Sequence, residues 1–141
     1  MRVSLALMLA IAPNLAQAHS VISPSRVAAG VDTRFEMRVG HGCDGAATQE
    51  FRVSLPETAQ NVRPVARRGW SVGISRGADG LQEIVWLGNL PDERVGFFAF
   101  MAEFAPTDAP AELIARQNCE GGASMIWDGS ADHPAPTVVV E

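Results

Sequence analysis

The chain has 141 residues, 47% of them hydrophobic and 19% charged, which is the composition of a globular protein and not of a disordered or collagen-like one. All the basic residues are arginine, and they are outnumbered by Asp and Glu to a net charge of −5. That balance argues against nucleic acid or anionic lipid as a partner and is compatible with a cationic ligand.

The first 18 residues form the clearest segment. Arg2 gives a short positive start, Leu5 to Ile11 an apolar run, and Ala16-Gln17-Ala18 a small-x-small cleavage site, the layout of a secretory signal peptide. The apolar run is too short to span a bilayer, and Pro13 and Asn14 interrupt it as a buried helix. The expected mature protein therefore starts at His19 and works in the periplasm or outside the cell. Residues 19–141 are the size of one domain with one core. No later stretch has the length and apolarity of a membrane anchor, so no transmembrane segment is expected in the mature chain.

Downstream, short alternating runs are broken by Gly and Pro. Ser20 to Ser23 reads as a first strand stopped by Pro24. Arg34 to Val39 places Phe35, Met37 and Val39 on one face. Phe51, Val53 and Leu55 alternate in a third run that Pro56 ends. Trp70 to Ser75 and Glu83 to Leu87 follow, separated by the turn-rich Gly77-Ala78-Asp79-Gly80. Gly96 to Phe104 holds four phenylalanines, and its alternation fits a core strand better than a sugar-binding platform. Ala111 to Ala115 reads as a strand or a helical turn, and Ser124 to Trp127 and Thr137 to Val140 close the chain. About eight short strands with little helix predict an all-β fold, a single Ig-like or cupredoxin-like antiparallel β-sandwich.

Cys43 and Cys119 are the two cysteines. In an oxidising compartment such a pair is most simply a disulfide, with loop-entropy stabilisation of roughly 4 kcal/mol. A thiolate site for Cu(I) is the alternative, but neither Cys has a second soft ligand near it at motif spacing.

Cleavage after Ala18 gives His19 a free α-amine beside its imidazole. The amine and Nδ1 can close one chelate ring on a metal, and their nitrogens suit tetragonal copper(II), which tops the affinity order. Occupancy should fall as the amine protonates below its pKa of roughly 8, offset by the pull of the metal. If the first two strands pair antiparallel, Gly40 to Gly45 and the start of the third strand at Glu50 lie near His19. Asp44 and Glu50 are then better placed to supply a carboxylate than Glu57, ~23 Å further along an extended strand. His41 is a spare imidazole, equally open to a structural role. His133 sits in a Pro-rich tail and is set aside. Trp70 and Trp86 read as core, as would Trp127 on its own.

The mature start His19-Ser-Val-Ile-Ser-Pro, the loop His41-Gly-Cys-Asp-Gly and the run Arg52-Val-Ser-Leu-Pro-Glu resemble the YcnI-like copper-binding domain family. So do Arg68-Gly-Trp70, Leu90-Pro-Asp, Cys119-Glu-Gly-Gly, Trp127 and His133-Pro-Ala-Pro, in the family's order along residues 19–141. The resemblance implies a sandwich that binds Cu(II) through a monohistidine brace. In it the terminal His, here His19, gives amine and imidazole, a carboxylate assists, and a Trp, here Trp127, lies close to the metal. The carboxylate does not map uniquely, and Glu57 joins Asp44 and Glu50 as a candidate. Many relatives carry a C-terminal membrane helix, and its absence before Glu141 favours a soluble periplasmic carrier.

The expected function is that of an exported copper chaperone or homeostasis factor, not an enzyme, which passes copper to a partner in the envelope. Two rivals remain. A copper-dependent oxidase would recruit a second imidazole, for which only His41 is near. A metal-free Ig-like interaction module would need no terminal His.

Overall fold

A computed structural model describes residues 21–130 and 132–141. The predicted leader over 1–18 and His19 lie outside the described residues. Among the described residues, twelve strands and one short 3₁₀ turn make up the regular structure, and no α-helix occurs. None of the described residues forms a helix long and apolar enough to cross a membrane.

The strands in chain order are β1 (Val21–Ser23), β2 (Arg26–Val27), β3 (Thr33–Val39), β4 (Thr48–Ser54), β5 (Ala59–Pro64) and β6 (Ser71–Arg76). They continue with β7 (Gln82–Leu90), β8 (Gly96–Phe104), β9 (Ala111–Glu112), β10 (Ile114–Cys119), β11 (Ser124–Trp127) and β12 (Thr137–Val140). One sheet has the order β1-β3-β8-β5 and faces a second of order β11-β10-β4-β7-β6. A small ribbon, β2-β12-β9, closes the chain ends together, and Arg26 on β2 pairs with Glu141 just beyond β12. This is the antiparallel sandwich that the alternation predicts; among the described strands only the β2–β12 pair is parallel.

Alternation decides which side chains meet between the sheets. Phe35, Met37 and Val39 on β3, and Phe98, Phe100, Ala102 and Phe104 on β8, point inward from one sheet and are buried. Phe51 and Val53 on β4, Ile84 and Trp86 on β7, and Ala115 on β10 meet them from the other. Aromatic contacts dominate the centre. Phe98 lies 4.8 Å from Phe51, 5.0 Å from Trp70 and 5.5 Å from Trp86 between ring centroids. The aromatic run of β8 is therefore core, apart from Phe97, which faces outward at 47% exposure. Trp70 is half-buried against the core, beneath the guanidinium of Arg67.

Three expectations needed adjustment. β5 and β2 have no alternating apolar signal: β5 reads Ala-Gln-Asn-Val-Arg-Pro and holds its place by pairing with β8. The run at Ala111 splits into β9 and a longer β10 that reaches Cys119, and contains no helical turn. β4 starts at Thr48, earlier than its apolar pattern, because an extra residue relative to β10 breaks the period there.

Since Phe98 touches rings from both sheets, Phe98→Ala should leave a cavity that neighbours cannot fill, costing about 3–5 kcal/mol. Urea unfolding of the oxidised protein, with a lowered midpoint at unchanged slope, is the readout.

Candidate metal centre

β1 and β3 pair antiparallel, with Val21 opposite Arg38 and Ser23 opposite Glu36. The chain therefore enters β1 at the end of the sandwich where β3 leaves into the segment 40–47. Strand order adds a second constraint. β5 touches β6 along one side of the sandwich, so β1 and β11, at the other ends of their sheets, share the opposite side. Ile22 of β1 and Trp127 of β11 belong to the same core cluster.

The 40–47 segment is fixed by several bonds. Cys43 and Cys119 form a disulfide that ties it to the end of β10. Cys43 and Ala46 exchange both backbone hydrogen bonds around Asp44 and Gly45, whose φ angles are +47° and +90°. Two positive φ values in a two-residue connection are those of a type I′ turn, for which Asp-Gly is among the preferred pairs. The Gly42 N–H donates to Oδ1 of Asp92 at 3.0 Å and to its backbone carbonyl at 3.3 Å. Gln117, only 1% exposed, uses its Nε2 to donate to the His41 carbonyl at 2.8 Å and to Thr48 Oγ1 at 2.7 Å. A buried amide without partners would cost several kcal/mol, so these two bonds specify where the segment sits.

His41 itself is half-buried, and its Nδ1 lies 2.6 Å from the Gly42 carbonyl oxygen. A carbonyl only accepts, so the ring proton of the neutral imidazole is on Nδ1 and Nε2 keeps its lone pair. That donor chemistry fits a borderline metal such as copper(II).

The predicted site residues fall in different places. Asp44 is exposed at the tip of the type I′ turn, and its left-handed backbone accounts for an aspartate there without any ligand. Glu50 lies on the outward face of the second sheet. Beside inward Phe51 it faces out by alternation, and Gln49 is the extra residue of a bulge against β10 that lets Thr48 face inward as well. There it accepts from Arg52 Nε and Asn118 Nδ2, both at 2.5 Å, while Arg52 Nη1 reaches Glu83 at 2.9 Å. Trp127 pairs with Ala115, on the inward face, and is 3% exposed. Glu50 and Trp127 are thus on opposite faces of one sheet. Glu57 is exposed in the turn after β4, at the far end of the sandwich from Val21. His133, set aside from the sequence, has its ring 6.1 Å from that of Trp127. No group of three or more His, Cys, Asp or Glu side chains able to hold a metal occurs among the described residues. Gln117, Thr48 and Asp92 escaped the sequence reading. Only Asp92 had a signal, in the Leu90-Pro-Asp run.

The hydrogen bond from Arg52 holds the Glu50 carboxyl below the ordinary glutamate value, against a smaller upward push from partial burial. The folded state therefore favours the carboxylate. Its stabilising contribution is complete at neutral pH and is lost as pH falls through the lowered folded-state pKa.

Two measurements test this geometry. Glu50→Gln should cost about 1 kcal/mol at pH 7 in a network this exposed, and the gap from the wild type should close in unfolding titrations as the pH falls through the lowered pKa of Glu50. At Gly42 an added Cβ would lie 1.9 Å from the Ala46 carbonyl oxygen. Gly42→Ala should accordingly displace the turn and lower stability by about 2 kcal/mol, read by thermal unfolding.

Among solved structures, the chain is similar to an uncharacterized protein from Nocardia farcinica described as having an immunoglobulin-like fold. The TM-score is 0.73 and the identity 20%, covering 87% of this chain and 98% of that one. It is also similar, at a TM-score of 0.52 and 12% identity, to the sixth cohesin of scaffoldin B from Acetivibrio cellulolyticus, solved with a dockerin. That match covers 87% of this chain and 98% of the cohesin. At such identities the likeness is one of fold, and it makes the sandwich Ig-like. No curated protein matches the chain. The model of the domain of unknown function DUF1775 matches residues 19–140, and the chain belongs to that family, the YcnI-like domains.

Proposed function

We propose that this protein is an exported copper(II)-binding carrier of the periplasm or cell exterior, in which His19, once terminal, grips the metal through its α-amine and imidazole. The observation that carries this reading is the braced segment 40–47, held by the disulfide and by Gln117 at the end of the sandwich where β1 begins. Residue 19 is two residues before Val21, so chain length alone keeps it within about 7 Å of that strand start. Membership of the YcnI-like family and a match that begins at residue 19 support the same terminus. The disulfide accords with an oxidising compartment.

In this reading the bound ion is cargo. A chelating terminal histidine with one assisting carboxylate leaves coordination positions open, and an open site at the end of a rigid sandwich suits transfer to an envelope partner better than storage or turnover. Trp127, buried on the inward face of β11, is the tryptophan that this reading assigns to the ion's surroundings. Asp44 is the carboxylate within the braced segment; Glu50 would first have to leave Arg52 and Asn118.

The absence of lysine makes the test clean, because the terminal α-amine is the one aliphatic amine of the mature chain. Intact-mass analysis of exported protein should give a chain starting at His19. Copper(II) should then produce tetragonal, nitrogen-rich electron paramagnetic resonance features, and acetylation of the terminus or His19→Ala should abolish them. A spectrum indifferent to both changes refutes the brace.

A further inference from the structure

We propose that β6 is a self-association edge, along which two copies of this chain pair β6 against β6 antiparallel with Gly73 on the two-fold axis. The pairing stands apart from the copper reading, since β6 lies on the side of the sandwich away from β1.

The first ground is a contrast among sheet edges. An edge strand presents unpaired N–H and C=O groups, and folded proteins blunt such edges with prolines, bulges, charges or short lengths. Among the described residues, the two main sheets end at β1, β5, β11 and β6. β1 has three residues and runs into Pro24. β5 shifts register between Gln60 and Arg63, holds Asn61 at a φ of +50° and ends on Pro64. β11 has four residues. β6 has none of these devices. Its six residues, Ser71-Val72-Gly73-Ile74-Ser75-Arg76, pair one for one with β7, and all but Val72 are exposed. Its one charge is at the end, where Arg76 Nη1 donates to the Gly80 carbonyl at 2.8 Å.

The second ground is that the strand complements itself. Residues directly opposite in an antiparallel ladder share a face, so a two-fold pairing must centre on a residue and not between two. With Gly73 at the centre, Val72 faces Ile74 of the second copy and Ser71 faces its Ser75. Val72 and Ile74 are in the inward register, opposite Trp86 and Ile84 of β7, yet Ile74 is 42% exposed. The pairing covers it with a β-branched neighbour, a favourable cross-strand partner. The serine hydroxyls meet on the outward face, and glycine at the axis adds no bulk. Arg76 falls level with Trp70 of the second copy, so no like charges are opposed. Centring on Ile74 instead would set Arg76 against Val72.

Such a dimer joins two five-stranded sheets and, because the strands are antiparallel, puts the two 40–47 segments at opposite ends. Six residues extend about 20 Å, which makes the contact smaller than a standard interface and the association weak.

Sedimentation velocity of the mature, oxidised protein in EDTA, from micromolar to millimolar concentration, reads this association with no metal to bridge the copies. The wild type should shift from monomer toward dimer as concentration rises. A Cβ at Gly73 meets nothing within 4 Å, so Gly73→Asp should fold with a near-normal unfolding midpoint. It should weaken dimerisation about tenfold or more, because two carboxylates then face each other across the axis. Ser71→Glu combined with Ser75→Lys sets opposite charges across the axis twice and should tighten the dimer. A wild type that stays monomeric throughout overturns the proposal. So does a dimer that Gly73→Asp leaves intact, or a double variant that associates no more tightly than the wild type.

Discussion

A single link organises this fold: the segment 40–47 is joined to the end of β10 by the Cys43–Cys119 disulfide and the buried Gln117 amide. β3 belongs to one sheet and β4 to the other, so the chain must cross the mouth of the sandwich between them. A crossing of this kind exposes backbone polar groups that neither ladder satisfies. Here they are met one by one: the Gly42 N–H by Asp92, the His41 carbonyl by Gln117, and the Cys43 and Ala46 groups by each other. Without the link, the type I′ turn would be a free hairpin tip at the edge of the domain. With it, the end of β3, the start of β4 and the end of β10 form one body.

The fold was legible because its core strands obey a period of two. Phe35, Met37 and Val39, or Phe98, Phe100, Ala102 and Phe104, alternate with outward residues over lengths that no helix would produce. Strands held by pairing instead of burial were not legible. β5 carries Gln60, Asn61 and Arg63 on a strand beside β8, and β2 has two residues; in both, the ladder partner provides the order. Phe97 shows the converse limit. Its neighbours made it look like core, yet it occupies the outward register of the same strand.

The candidate centre was readable only in part, for reasons specific to each residue. The antiparallel pairing of the first two strands correctly predicts that the strand start and the His41 segment share one end. Glu50 was placed at that end as the start of the third strand, and it does lie near the start of β4, on the outward face of its sheet. Alternation from Phe51 and Val53 already turns Glu50 outward; what the local pattern hides is the bulge at position 49 against β10, which returns Thr48 to the inward face. Asp44 was placed there by the same strand topology, and its left-handed backbone at the turn is a feature that the topology did not include. The supporting amide of Gln117 was hidden because a polar residue at an inward position looks like any outward one until the partners across the sheet are known.

The span of the Cys43–Cys119 bridge, 76 residues, has a consequence for the order of assembly. β4 lies between β7 and β10, and β10 is nearly the last strand of the sheet to be synthesised. Pairings across such separations require loop closure before any contact offsets it, so sheets of this kind form slowly. The hairpins within each half can appear early, but the anchoring of residues 40–47 must wait for the far end of the chain. Newly emerged polypeptide therefore carries its histidine loop unanchored, and the loop acquires its final shape as one of the closing events of maturation.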